Sequence, residues 1–183
     1  MLSIKTRQKY LKELGFYTGK VDGIEGKLTK KAYLSLQKKY FVNKKEHDSK
    51  YGTNTDILLQ SAYNCKNLKY FKLEEFKCDC GGKHCTGYPV VVDKTLLKKL
   101  ENTLRPKYGA ITITSGLRCN KRNAEVGGVA NSRHKLGKAV DFRCAESVKG
   151  SANRTDMVKF CLKHFRYSYG NTAGMGASVH VDV

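Results

Sequence analysis

The hydrophobic pattern changes character once along the chain, near "NCKNLKYF" at Asn64–Phe71, and this change constrains the fold more than any other feature. Before it, apolar residues recur only at helical spacing. Ile4, Tyr10, Leu11 and Leu14 mark one face of a helix that Gly15 would end. Ala32, Tyr33, Leu36 and Tyr40 mark a second helix, with Thr29 as its expected N-cap. "TNTDILLQSAY" predicts a third, opened by Thr53 or Thr55. After the change, short alternating segments ("AITITS", "GKAVDFRC", "ASVHVDV") predict strands. Between them, "DKTLLKKLENTLRPKYG" predicts a helix capped by Asp93 and stopped around Pro106, and "NRTDMVKFCLKHF" predicts another. Strands and helices mixed without regular alternation predict an α+β class. The expected organisation is a small three-helix domain over residues 1–64 and a second domain, with an antiparallel sheet and flanking helices, over 68–183.

The charge is spread over both parts. Thirty-five Lys and Arg oppose 16 Asp and Glu, a net charge of +19. Such a field draws the protein to polyanions: nucleic acid, anionic lipid, or the teichoic acids and carboxylates of a bacterial wall. A Lys-rich proteome would produce the same balance. No nucleic-acid reading motif accompanies the charge, so a nucleic-acid partner is not expected. No apolar run approaches the roughly 20 residues of a membrane-spanning helix. The N-terminal "MLSIKTRQKYLKELGF" has no apolar stretch of the kind a secretory signal needs, so synthesis and folding in a cytoplasm are expected.

Three polar residues after the boundary could converge. "NSRHKLGKAVDF" carries His134 and Asp141 around a glycine. In the closing strand, Val179, Val181 and Val183 alternate with Ser178, His180 and Asp182, so the valines face the core and His180 faces the other side. Two imidazoles and a carboxylate suit a catalytic zinc that keeps a fourth position for water. The same residues also suit duller roles, a hydrogen-bonded strand histidine and an aspartate capping a turn.

Two resemblances narrow the choice. "LKELGFYTGKVDGIEGKLTKKAYLSLQKKY" resembles the three-helix peptidoglycan-binding domain of bacteria, over about residues 4 to 62. "DGIEGKLTKKAYLSL" and "KYGTNTDILLQSA" echo one another, each with a glycine and then a threonine three positions on. The second copy replaces the usual "DG" by "KKEHDSKYG". Downstream, "ITITSGLRCNKRNAEVGGVANSRHKLGKAVDF … VHVDV" resembles the D-alanyl-D-alanine carboxypeptidase (VanY-like) zinc peptidases, which share a zinc core with the Hedgehog signalling domain and with phage endolysin endopeptidases. The pattern is met by Ser115, Gly116, Arg118, Asn123, Val126, Gly127, Gly128, Ser132, His134, Gly137, Ala139, Asp141, His180 and Asp182. The resemblance implies one catalytic zinc held by His134, Asp141 and His180. It implies a substrate-holding Arg118, with Asn123 and Ser132 as loop hydrogen-bonders or substrate contacts. Asp182 would orient a ligand histidine or serve as the catalytic base.

The pattern is incomplete in one respect. Related enzymes place a Glu, Asp or His two or three residues before the last zinc histidine; here those positions are Ser178 and Ala177, and the ending is shortened to "GMGASVHVDV". Asp182, His164 or Glu125 could supply the base, or catalysis is poor. Together the two resemblances imply a phage endolysin. It would hydrolyse an amide of the peptidoglycan stem or cross-link and reach the wall from the host cytoplasm by a holin-type route. The alternatives are a D,D-carboxypeptidase trimming terminal D-Ala and a wall-binding protein with an impaired metal site.

Seven cysteines in a chain of this kind argue against a disulfide scaffold. "FKCDCGGKHCTGYP" groups Cys78, Cys80 and Cys85. A second, structural metal with Cys119 as a distant fourth ligand, or a Cys78–Cys119 pairing, are alternatives to the default of plain reduced thiols. Cys65, Cys144 and Cys161 read as small buried hydrophobes.

Overall fold

A computed structural model describes residues 1–183. Three helices come first: α1 (Ile4–Glu13), α2 (Lys27–Tyr40) and α3 (Thr53–Cys65). Leu11, Ala32, Tyr33, Leu36, Leu58 and Leu59 are fully or almost fully buried between them. Truncating one of these leucines to alanine would cost about 2–5 kcal/mol. Helix α1 begins at Ser3, whose hydroxyl accepts from the Thr6 N–H, and ends where Gly15 turns left-handed.

Helix α3 opens at Thr53, as expected, but neither Thr29 nor Thr55 is an N-cap. Helices α2 and α3 start after Gly26 and Gly52, and Thr29 and Thr55 lie inside their first turns, buried. The reason is a hydrogen-bonded pattern that occurs twice. The Gln8 side-chain amide donates to Asp22 Oδ1 (2.8 Å), Ile24 O (3.0 Å) and Thr29 Oγ1 (3.2 Å). Its oxygen accepts from the Gly23 N–H at 2.9 Å. The Gln37 amide donates to Asp48 Oδ1 (2.9 Å), Lys50 O (3.0 Å) and Thr55 Oγ1 (3.0 Å). Its oxygen accepts from the Asp48 and Ser49 N–H groups. Gly23 and Ser49 occupy corresponding positions, and both have positive φ (83° and 62°). The segment "DS" therefore does the work of the "DG" missing from the second copy. A buried glutamine whose amide is fully satisfied holds each loop in one shape.

The helical segment and the remainder share one buried core. The Asn64 side chain donates to Val92 O (2.9 Å), the Val92 N–H donates to Ser61 Oγ (3.2 Å), and Tyr40 meets Tyr88 edge to face at 6.1 Å.

Helix α4 (Lys94–Lys99) is capped by Asp93, whose carboxylate accepts from the Thr95 and Leu96 N–H groups. The helical run ends close to Pro106, as expected, with the proline inside its last turn. A π-helical turn, Leu100–Leu104, carries it into α5 (Arg105–Tyr108), which ends at Gly109. The wider turn moves the Arg105 N–H onto Leu100 O, and proline, which has no N–H to place, fits directly behind it. Helices α6 (Asn120–Glu125), α7 (Ala145–Val148) and α8 (Ser151–Leu162) are the remaining α-helices.

Strands β1 (Ile111–Ser115), β2 (Ala139–Cys144), β3 (Tyr167–Gly170) and β4 (Val179–Asp182) form an antiparallel sheet in the order β1-β2-β4-β3. The α+β class is as expected. Strand β3 was not anticipated: it is four residues long, and its sequence "YSYG" has no flanking pattern to mark it. Its presence makes the closing strand β4 an inner strand. Val179 and Val181 point into the core with no exposed surface.

Candidate metal centre and active-site cleft

Strand register assembles most of the site. Asp141 on β2 lies directly across from His180 on β4, and His180 lies across from Tyr169 on β3. On the other side, the β1–β2 pairing slips between Ile113 and Ser115, which brings Ser115 opposite Asp141. Such a bulge redirects side chains at the rim of a site. One polar row, Ser115–Asp141–His180–Tyr169, thus crosses all four strands.

His134 reaches this row from a 3₁₀ turn, Arg133–Leu136, that ends at Gly137. Gly137 has φ 70°, and a Cβ there would lie 2.2 Å from Val91 O, so only glycine lets the chain turn so tightly into β2. His134 is 2% exposed. Its Nδ1 lies 2.7 Å from Gly116 O, which makes Nδ1 the protonated nitrogen and leaves the Nε2 lone pair facing the row. Nε2 is 3.3 Å from Asp141 Oδ1 and 3.3 Å from His180 Nδ1, and His180 Nδ1 is 2.8 Å from Asp141 Oδ1.

Two imidazole nitrogens and a carboxylate oxygen therefore converge within 4.8 Å of one another, and this donor set fits zinc. Burial pushes the Asp141 carboxyl up, but its close contacts with His134 and His180 outweigh this and hold it well below the usual carboxylate range.

The neighbours of the triad are engaged in turn. Arg118 donates from Nε to Ser115 Oγ (2.8 Å) and from a terminal nitrogen to Asp141 Oδ2 (2.5 Å). Two of its five N–H donors are thereby used and the rest remain for other partners. Asp182, 2% exposed, receives Nε and a terminal nitrogen of Arg166, both at 2.7 Å. Its Oδ2 is 3.5 Å from His180 Nε2, behind the ring and on the side away from Asp141. Tyr169 stacks on the His180 ring with centroids 4.6 Å apart. Arg166 and Tyr169 were not singled out from sequence, because their place depends on the short strand β3.

A cleft of about 810 Å³ opens over this centre, lined among others by Arg118, Val129, Ser132, Tyr167 and Met175. Asn123 does not line it. Its side chain is 3% exposed, and its amide donates to Gly128 O (2.9 Å) and Val129 O (3.0 Å), so it shapes the 126–131 loop instead of facing a substrate. His164 and Glu125, the alternative bases, also lie outside the cleft. His164 stacks on Phe160, and Glu125 pairs with His84 (2.7 Å) and Arg122 (3.4 Å). Ser178 lines the cleft, and its hydroxyl is 2.9 Å from the Thr114 hydroxyl.

The carboxylates that line the cleft are Asp79, Asp141 and Asp182. Asp79, the most exposed of them, is held by Arg122 through two 2.8 Å bonds.

A search of curated proteins returned no match. The profile of the peptidase M15 family matches residues 69–182, which cover the whole sheet, the triad and the cleft. Peptidases of this family are zinc enzymes, and the donor set His134, Asp141 and His180 is of the kind they require. With the match spanning more than half of its length, the chain belongs to the peptidase M15 family.

Proposed function

We propose that the protein is an endolysin-type zinc peptidase that hydrolyses an amide bond in the stem peptide or cross-link of bacterial peptidoglycan. The observation that carries this reading is the convergence of His134, Asp141 and His180 beneath an open cleft in an M15 peptidase. When bound, zinc supplies a Lewis acid that polarises a carbonyl and acidifies water. The protein's own contribution is orientation. The Nδ1–H of His134 is fixed on Gly116 O, and Asp182 lies 3.5 Å from His180 Nε2, so that His134 Nε2 and His180 Nδ1 are left for the same point. Asp182 acts through His180 in this account, because Arg166 already binds both of its oxygens. Arg118 balances the charge of Asp141 and offers its remaining N–H groups to a substrate carbonyl or carboxylate. Ser132, on the cleft wall, is a substrate contact.

The helical segment 1–64 is proposed to bind the wall, and the net charge of +19 to concentrate the protein on anionic wall polymers. No helix of the structure is long and apolar enough to cross a membrane. Synthesis in the host cytoplasm and release through a holin-type pore complete the proposal.

One observation favours a second reading. Ala177 and Ser178 stand where related enzymes carry an acid or imidazole, and the carboxylates that line the cleft are all paired. On that reading the protein binds the wall and cuts poorly.

Mass spectrometry of fragments released from peptidoglycan by the full chain, with and without a zinc chelator, separates the two. Chelator-sensitive new peptide ends are expected, and loss of a single terminal D-Ala would identify a D,D-carboxypeptidase instead. Zinc-loaded, wall-bound protein that releases nothing would overturn the peptidase reading.

A further inference from the structure

We infer that the protein carries a second metal site, a closed structural zinc centre formed by Cys78, Cys80, Cys85 and Cys119. The four sulfurs lie within 4.8 Å of one another. A tetrahedral ZnS₄ centre with Zn–S of about 2.3 Å has sulfurs about 3.8 Å apart, so the cluster is already close to the size it needs. Cys80 and Cys85 are at 3.5 Å. The default reading of these residues as unrelated reduced thiols does not account for a fourth cysteine, 34 positions after Cys85 (119 − 85), arriving at the same point.

Hydrogen-bond donors face the cluster. Backbone N–H groups point at three of the sulfurs: Cys119 N–H at Cys78 Sγ (3.4 Å), Gly87 N–H at Cys85 Sγ (3.4 Å) and Arg122 N–H at Cys119 Sγ (3.5 Å). Cys78, Cys80 and Cys119 are buried, and Cys85 is half-buried. Enclosure by four protein ligands leaves no open position, as in structural zinc sites and unlike the cleft centre. One ion engages all four sulfurs at once, whereas disulfides would require two separate pairings within the cluster. Each thiol that binds gives its proton to solvent, so uptake would release protons.

The location gives the ion a purpose. Residues 77–93 contain no helix or strand, a length at which an unstructured connection inside a compact domain needs its own fastening. Three of the ligands come from this loop. The fourth, Cys119, directly follows Arg118, which touches Asp141 in the catalytic centre. The Leu117 N–H donates to Phe76 O (2.8 Å), and Arg122 holds Asp79 between the first two cysteines. A metal here would staple the loop to the segment that positions Arg118.

The test is elemental zinc analysis of full-length protein purified with reductant and without chelator. Three chains are compared: wild type, His134→Ala/His180→Ala and Cys80→Ser/Cys119→Ser. The proposal expects about two equivalents in wild type and about one in each variant. It does not rest on the peptidase assignment. If the cleft centre binds no metal, wild type and the histidine variant both hold about one equivalent, and that equivalent is lost on cysteine replacement. Because the cysteine variant could fail to fold, cobalt-substituted wild type is the second measurement, with intense thiolate-to-cobalt charge-transfer absorption expected. Wild type with no metal beyond what the histidine variant loses, no such absorption, or an intact mass showing these cysteines oxidised in pairs would each overturn it.

Discussion

The two clusters that can hold a metal are built in opposite ways. His134, Asp141 and His180 stand mostly on paired strands, and their geometry follows from sheet register and one glycine-terminated turn. The four cysteines stand on irregular chain and at the start of a six-residue helix, and nothing regular fixes their spacing. The first cluster has three ligands and a cleft above it; the second has four, three of them buried. A site preformed by a rigid scaffold can leave one coordination position free for chemistry. A site made from loops uses every ligand to hold the loops together. On the proposed reading the first cluster serves catalysis and the second stability, and each role can be broken separately.

The largest effect is expected from His180→Ala. Peptide release should fall at least about 10³-fold, as for loss of a group on which the whole mechanism depends. Circular dichroism should show the fold retained, because the cysteine cluster and the shared core are untouched. Zinc removal from the cysteines should act the other way round. It should lower the melting temperature by several degrees or more, since metal binding free energy is folding free energy in such sites, and the loss should be visible by calorimetry.

Next comes Asp182→Asn, which keeps the shape but removes the charge shared with Arg166 and His180. Zinc affinity at the cleft centre is expected to drop about 10- to 100-fold, with activity recovering at saturating zinc. Failure to recover would mean that Asp182 itself handles a proton.

A smaller effect should come from Gln37→Ala. The buried amide bonds to Asp48, Lys50 and Thr55 disappear, and chemical denaturation should show a loss of about 1–3 kcal/mol, while hydrolysis of a soluble stem peptide is unchanged.

The smallest is a pH effect in the same loops. Asp48 is held below its ordinary value chiefly by the Lys50 N–H, and Asp22 by the Ile24 N–H. A carboxyl lowered on folding stabilises above its unfolded value, near pH 4, and that contribution is lost as pH falls through the folded value. Melting temperature should therefore drop below about pH 4, and less steeply in Asp48→Asn.

What the sequence made legible follows from the range of the interactions. Helices α1 to α3 were readable from apolar spacing, and β1, β2 and β4 from alternation, because both are local patterns. Thr29 and Thr55 look like caps for the same local reason. Their hydroxyls instead meet glutamines 21 and 18 positions earlier, a partnership that only packing creates. The second loop copy was harder to see because Ser49 takes a backbone conformation that glycine usually supplies. The triad was legible through motif spacing. Arg166 and Tyr169 were not, since both depend on β3 pairing with β4. Asn123 carried a motif position without a place in the cleft, because its side chain is buried and its amide nitrogen donates to its own loop. Cys119 is distant from the other three cysteines in sequence, and its approach to them is a property of the folded chain alone.

The central claim is that His134, Asp141 and His180 form the catalytic metal centre. The most direct measurement is an anomalous-difference map at the zinc edge from crystals of zinc-loaded, peptide-cleaving protein. The account predicts a peak bounded by His134 Nε2, Asp141 and His180 Nδ1, open toward the cleft. An active, zinc-loaded crystal with no peak between these three residues would contradict it.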